Sequence, residues 1–149
     1  MMSVKEDKFL KEIVVRLLRI FHKTRDKLNI NSINDIISIL CANIDPQKVF
    51  KEFAISLREF DDIEFLSYMV QTLDLTLAAH PMYRDVRDVL KGEKGTPDER
   101  RELFGTLYAT WSYNPVSTIT LCLLSRHYRF AFNLIPRFSG LSVNTHTLI

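Results

Sequence analysis

The chain has 149 residues, 46% of them hydrophobic, with 4 Gly and 5 Pro, a length and composition that suit one domain with a core hiding ~70% of its extended-chain surface and that exclude a disordered polar chain. The net charge of +2 is the small difference between 20 basic and 18 acidic residues, so no whole-molecule field drives the chain onto nucleic acid. No apolar run approaches the ~18 residues of a membrane span, and Lys5, Glu6, Asp7 and Lys8 stand where a signal peptide needs an apolar stretch, which reads as a soluble intracellular protein.

From about Asp7 to Lys27, Leu10, Ile13, Val14, Leu17, Phe21 and Leu28 recur at helical spacing, with Lys8, Glu12, Arg16, Arg19 and Lys23 opposite, predicting a long amphipathic helix. Asn31 or Ser32 is placed to cap the next helix, whose stripe is Ile33, Ile36, Ile37, Leu40 and Ile44. Isoleucine is β-branched and suits strands, but the three-and-four spacing without alternation favours a buried helix. Asp45-Pro46 combines a capping side chain with a proline that surrenders an N–H left free in any first turn, and it opens a helix with Val49, Phe50, Phe53, Ala54, Leu57 and Phe60 inward. Asp61 and Asp62 start a fourth, with Phe65, Leu66, Met69, Val70, Leu73 and Leu77 as its stripe. His80-Pro81 ends it, because the residue before proline is pushed out of the α region.

A short helix from Met82 to Leu90 leads to the most polar stretch, Lys91 to Arg101, where Gly92, Gly95 and Pro97 lie among seven charges. Thr96-Pro97-Asp98-Glu99 is another capped start, and Leu103, Phe104, Leu107, Tyr108 and Trp111 form the inward side of the helix that follows. Asn114-Pro115 starts the next, in which Val116, Ile119, Thr120, Leu123 and Leu124 recur at helical spacing with Leu121 and Cys122 on the flanks. Being apolar nearly all round, it is expected to be buried. A corner at Ser125 to His127 then turns into a helix with Tyr128, Ala131, Phe132, Ile135 and Phe138 on one face, ending near Gly140, and Ser142-Val143-Asn144-Thr145 begins another. Cys41 and Cys122 lie inside apolar segments and are expected as free buried thiols.

Helices joined by a few residues make antiparallel neighbours, so the fold class is all-α, a stack of helical hairpins. A closed bundle and an open HEAT-like α-solenoid satisfy this pattern equally, and no fixed repeat period is visible. The apolar trail of Leu141, Val143, Leu148 and Ile149 lacks a polar cap and tips the reading to a solenoid segment, residues 1–149 being one helical-repeat domain cut from a longer array.

The stretch around Trp111, Asn114-Pro115-Val116, Leu121-Cys122-Leu123-Leu124, Tyr128, Ala131-Phe132-Asn133-Leu134-Ile135 and Phe138 resembles the C-terminal region of the vacuole morphology and inheritance scaffold family. Ile63-Glu64-Phe65, Met69-Val70-Gln71-Thr72-Leu73, Leu103-Phe104 and Phe9 to Phe21 extend the resemblance in order over nearly the whole chain, although the family continues with more helix where this chain stops at Ile149. The resemblance implies a HEAT-like scaffold that oligomerises and holds a PIKfyve-type lipid kinase together with a Sac-type phosphoinositide phosphatase. It places that scaffold on the cytosolic face of endosomes and vacuoles, in the metabolism of phosphatidylinositol 3,5-bisphosphate, with membrane attachment only through partners.

No catalytic signature stands out. His22, His80, His127 and His146 are far apart and lack metal-ligand spacing, and Gly92, Gly95 and Gly105 lack the spacing of a phosphate loop. No cofactor or metal is expected. His127 is read as a proton carrier beside Tyr128 or, with far more weight, as a corner residue. Asp61, Asp62 and Glu64 fit a metal or acid–base cluster less well than they fit helix capping. The N-terminal helix carries the one local charge excess: Lys5, Lys8, Lys11, Arg16, Arg19, Lys23, Arg25 and Lys27 against Glu6, Asp7, Glu12 and Asp26, 8 minus 4. Such a face meets anionic lipid or an acidic partner, or is simply solvated. Candidate partner-contacting residues are Trp111, Tyr113, His127, Tyr128 and Arg129, with a core role the stronger reading for Trp111. The leading function is therefore a non-catalytic scaffold segment. The alternatives are another helical-repeat trafficking adaptor and a compact all-α enzyme or ligand carrier with a pocket between helices.

Overall fold

The computed structural model describes residues 4–27 and 29–127, without the side chains of residues 4, 5 and 26. The expected helix from Tyr128 to Phe138, the further start at Ser142 and the apolar trail to Ile149 lie outside the described residues. Seven α-helices are present among them: α1 (Val4–Lys23), α2 (Ile30–Asn43), α3 (Pro46–Leu57), α4 (Ile63–Ala79), α5 (Arg84–Lys91), α6 (Pro97–Trp111) and α7 (Pro115–Leu124). The described residues contain no strand.

The caps set the boundaries. Asp45, Thr96 and Asn114 each accept a hydrogen bond from a first-turn N–H, with Pro46, Pro97 and Pro115 opening the helices behind them. Asp62 caps α4 by accepting from Phe65 N. Two boundaries differ from expectation. The cap of α2 is Asn29, two residues ahead of Asn31 and three ahead of Ser32, because its side chain accepts from Asn31 N at 2.7 Å while its own backbone stays extended. The first helix ends at Lys23 and tightens into a 3-10 turn over Arg25–Lys27, held by a Lys27 N–H to Thr24 carbonyl bond and by the ion pair of Arg25 with Asp62. A second 3-10 turn, Pro81–Tyr83, takes the place of the first residues expected in the short helix.

Helices α1, α3 and α6 lie side by side and run the same way. Asp7 and Lys48, near the starts of α1 and α3, pair at 3.5 Å, and Lys51 of α3 reaches Glu102 of α6 at 3.2 Å. Further along, Thr110 of α6 donates to the Ala54 carbonyl of α3 at 2.6 Å, and Arg58 reaches Thr110 Oγ1 at 2.9 Å and the Thr106 carbonyl at 2.5 Å. Helix α4 returns from α3 and α7 returns from α6, and the two return helices pack on each other. This is a stack of antiparallel hairpins, a segment of an all-α helical solenoid, with α5 as an extra helix between the α3–α4 and α6–α7 hairpins.

One core runs from Leu10 in α1 to Leu121 in α7. All six apolar residues of the α4 stripe are buried, as are Val49, Phe50, Phe53, Ala54 and Leu57 of α3. In α1 the buried line is Leu10, Val14, Leu18 and Phe21, so Leu18 takes a place the sequence pattern assigned to Ile13 and Leu17, which are half-buried. Helix α7 corrects the expectation of all-round burial. Val116 is 74% and Leu123 48% exposed, whereas Ser117, Thr118, Leu121 and Cys122 face inward. Small hydroxyl residues tolerate this because they return their hydrogen bonds to the backbone: Thr118 Oγ1 donates to the Asn114 and Trp111 carbonyls.

Cys41 and Cys122 are free and buried, and burial pushes their thiols up to about 12 and about 11. Beside Cys41, Tyr83 is buried with its ring edge-on to Phe50 at 4.9 Å between centroids. Its hydroxyl, near Ser38 and the Cys41 thiol, is the buried side-chain polar atom among the described residues that lacks a hydrogen bond of ordinary geometry. Removing an unsatisfied hydroxyl removes its desolvation cost. Tyr83→Phe is therefore expected to leave stability unchanged or raise it by up to about 1 kcal/mol in urea melts; a loss larger than that would reveal a bond the geometry does not contain.

Candidate functional site

The corner between α6 and α7 is built on a buried polar pair. Trp111 is the largest fully buried side chain, and its Nε1–H donates to Asp74 Oδ1 of α4 at 3.0 Å. Asn114 does two jobs at this corner: its Oδ1 accepts from Ser117 N, capping α7, and its Nδ2 donates to Ser67 Oγ at 3.1 Å, tying the corner to α4. Tyr113, between them in sequence, is 40% exposed.

Asp74 is 3% exposed, and burial raises its carboxyl to about 6 against the opposing pull of the Trp111 donor. Because the folded state holds this proton more tightly than the unfolded state does, Asp74 contributes stability that is complete below pH ~4 and is lost as pH rises through about 6. The loss is on the order of 2–3 kcal/mol. Asp74→Asn keeps an oxygen acceptor for the indole and has no proton to lose. The variant is expected to gain on the parent steadily from pH 4 to pH ~7 in denaturant melts; a constant difference across that range would refute a raised carboxyl.

At the opposite pole the C-terminal ends of α5 and α7 meet. Both finish in the same turn. Gly92, at φ 78°, donates to the Val89 carbonyl while Glu93 N–H reaches the Asp88 carbonyl at 2.9 Å. Arg126, at φ 62°, donates to the Leu123 carbonyl while His127 N–H reaches the Cys122 carbonyl at 2.8 Å. The left-handed position suits Gly92 and is strained for Arg126, whose side chain pairs with Glu93 and so joins the two turns. Arg100 lies between them, its Nε donating to the Leu90 carbonyl and its Nη2 to the Ser125 carbonyl, both at 2.8 Å. One cation thus serves the negative ends of two helices.

Beside Arg100 is a cleft of about 320 Å³ whose walls include Gly95, Thr96, Pro97, Phe104 and His127. The His127 ring lies 4.2 Å from that of Phe104, and burial, followed by the Arg100 charge, holds its pKa below the usual histidine value. His127 is thus set against an aromatic face and a guanidinium, in surroundings that disfavour its charged form. At the start of α4, Asp62 accepts from Phe65 N at 3.1 Å and from His22 at 3.0 Å, and also pairs with Arg25; the backbone donor first and His22 second hold its carboxyl below the usual range. Its role there is capping and linking α1 to α4. Among the described residues, no group of three or more His, Cys, Asp and Glu side chains is placed to hold a metal ion.

The candidate contact residues do not gather into one patch. Trp111 lies in the core, so it acts on a surface only by fixing the corner beneath Tyr113. Helix α7, ten residues or ~15 Å long, separates that corner from His127. Tyr128 and Arg129 lie outside the described residues. Sequence reasoning missed Asp74 and Arg100. An acid between Leu73 and Leu75 in an apolar run was a signal for the first, whereas nothing local marks an arginine that will serve two distant carbonyls.

Stacked hairpins with one continuous core and an aromatic corner define a segment of a helical-repeat protein. Residues 26–149 match the family model described as "Vacuolar protein 14 C-terminal Fig4p binding", and the chain belongs to that family. It is 35% identical over 133 residues to the "Protein VAC14 homolog" of Schizosaccharomyces pombe, covering 89% of this chain and 16% of that protein. It is 33% identical over 114 residues to the Arabidopsis thaliana protein of the same name, covering 76% and 15%. Against the "Vacuole morphology and inheritance protein 14" of Saccharomyces cerevisiae the identity is 26% over 147 residues, covering 99% and 16%. The chain therefore spans about one sixth of the length of these curated relatives. No solved structure matches it. Among the described residues, no helix is long and apolar enough to cross a membrane.

Proposed function

We propose that this chain is a non-catalytic scaffold segment that binds a Sac-type phosphoinositide phosphatase of the Fig4 kind and self-associates, bringing the phosphatase together with a PIKfyve-type lipid kinase. The supporting observation is the family match over residues 26–149, whose description names Fig4p binding. The fold suits such work: stacked hairpins present side chains on a rigid, extended surface without reaction chemistry. Its setting is the surface of vacuoles or endosomes, where phosphatidylinositol 3,5-bisphosphate is made and removed. Tyr113, half-way out of the corner, and His127, Tyr128 and Arg129 beyond α7 are the proposed contact residues, and Trp111 holds the corner from inside.

The test is co-purification of the chain with the phosphatase and, separately, with the kinase. Retention of the phosphatase, weakened at least tenfold by Tyr113→Ala with an unchanged melting curve, supports the reading. Failure of the chain to retain the phosphatase in the presence of the kinase overturns it. Sedimentation across a concentration series tests self-association, and a monomer at every concentration counts against that part.

A further inference from the structure

The face of α1 that points away from the core carries a charge pattern the scaffold reading does not use. Leu10, Val14, Leu18 and Phe21 are buried against the rest of the molecule. At 100° per residue, Lys8, Arg16, Arg19 and Lys23 fall on the opposite side, forming one stripe with Glu12 as its single acid. Asp7 is drawn away to Lys48, and among the described residues none of the four cations has an ion-pair partner. Along one edge of the stripe lie Phe9 and Ile20, 62% and 54% exposed. From Lys8 to Lys23 the stripe is ~22 Å long.

We propose that this face of α1 docks directly on an anionic lipid bilayer. Three features select a bilayer over an acidic protein. The cations are spread along the length of a convex helix and do not converge on a point, which matches a diffuse planar field. The two exposed large apolar side chains sit on the same edge, a turn-multiple apart, where both enter the headgroup boundary when the cations face phosphate. The stripe mixes arginine and lysine, between which a surface potential does not discriminate, whereas a bidentate carboxylate site favours arginine. The contact is peripheral, and it differs from attachment through partners alone.

The experiment is sedimentation of the 149-residue chain with vesicles of phosphatidylcholine and with equimolar phosphatidylcholine and phosphatidylserine, at physiological and at high salt. The chain is expected to sediment with the serine-containing vesicles only, and more weakly as salt rises. Arg16→Glu with Arg19→Glu is expected to lower the partition coefficient at least 20-fold, since each surface cation is worth about fivefold. Phe9→Ser with Ile20→Ser is expected to abolish what binding survives at high salt, while Arg84→Glu, on α5, leaves binding as it was. All these positions are exposed, so the melting curves remain those of the parent. Equal sedimentation with both vesicle types, or binding indifferent to the Arg16/Arg19 change, overturns the proposal. So does a chain that ignores vesicles yet binds soluble poly-glutamate through the same arginines.

Discussion

Replacing Trp111 with alanine is expected to cost about 3–5 kcal/mol, the largest loss of any single change in the described core. Two effects add. The indole is fully buried, so its removal opens a cavity between α4, α6 and α7. It also takes away the hydrogen-bond donor of Asp74, whose carboxylate at neutral pH is then buried without it. Trp111→Phe separates the two, since it keeps most of the volume and loses the donor. The phenylalanine variant is expected to regain much of its loss when Asp74→Leu is added, because removing both partners costs less than stranding one. Denaturant melts of the four proteins close the cycle; strict additivity would show the pair to be uncoupled.

Replacing Arg100 with alanine is expected to cost about 3 kcal/mol, unusual for a side chain that reaches the surface. Its two bonds go to the carbonyls of Leu90, in the last turn of α5, and of Ser125, just past α7, and each charge-assisted bond of this kind is worth ~1.5 kcal/mol or more. Arg100→Lys has one ammonium in place of a fork and is expected to recover less than half of the loss. Hydrogen exchange at the last turns of α5 and α7 should accelerate together in both variants. If only one helix end loosens, Arg100 serves that helix alone.

Much of this architecture is legible in the sequence because it depends on local rules. Asp45-Pro46, Thr96-Pro97 and Asn114-Pro115 mark three helix starts without any reference to tertiary contacts, and the period of Phe65, Leu66, Met69, Val70, Leu73 and Leu77 identifies the buried side of α4. Helix α7 shows where such rules stop. Its most hydrophobic line contains Val116 and Leu123, which are exposed, and its inner side includes Ser117 and Thr118, the latter buried at little cost because its hydroxyl bonds the Asn114 and Trp111 carbonyls. The candidate contact residues share chemistry and lie close in sequence, yet Tyr113 and His127 stand at opposite ends of α7 because a ten-residue helix intervenes. Arg100 was invisible for a related reason: its partners Leu90 and Ser125 lie on other helices, and only the packing of α5 against α7 brings them within reach.

The junction of α3 with α6 is held by bonds that run both ways. The Ala54 carbonyl receives no N–H from Arg58, which turns to Ile55, and it is completed by Thr110 from the following hairpin. In return the Arg58 side chain reaches Thr110 and the Thr106 carbonyl. The end of α3 is thus completed by the neighbouring hairpin, and the two hairpins are bonded in both directions across the junction. Parting the two hairpins here is therefore expected to strip α3 of its hydroxyl donor and α6 of its guanidinium contact at one stroke.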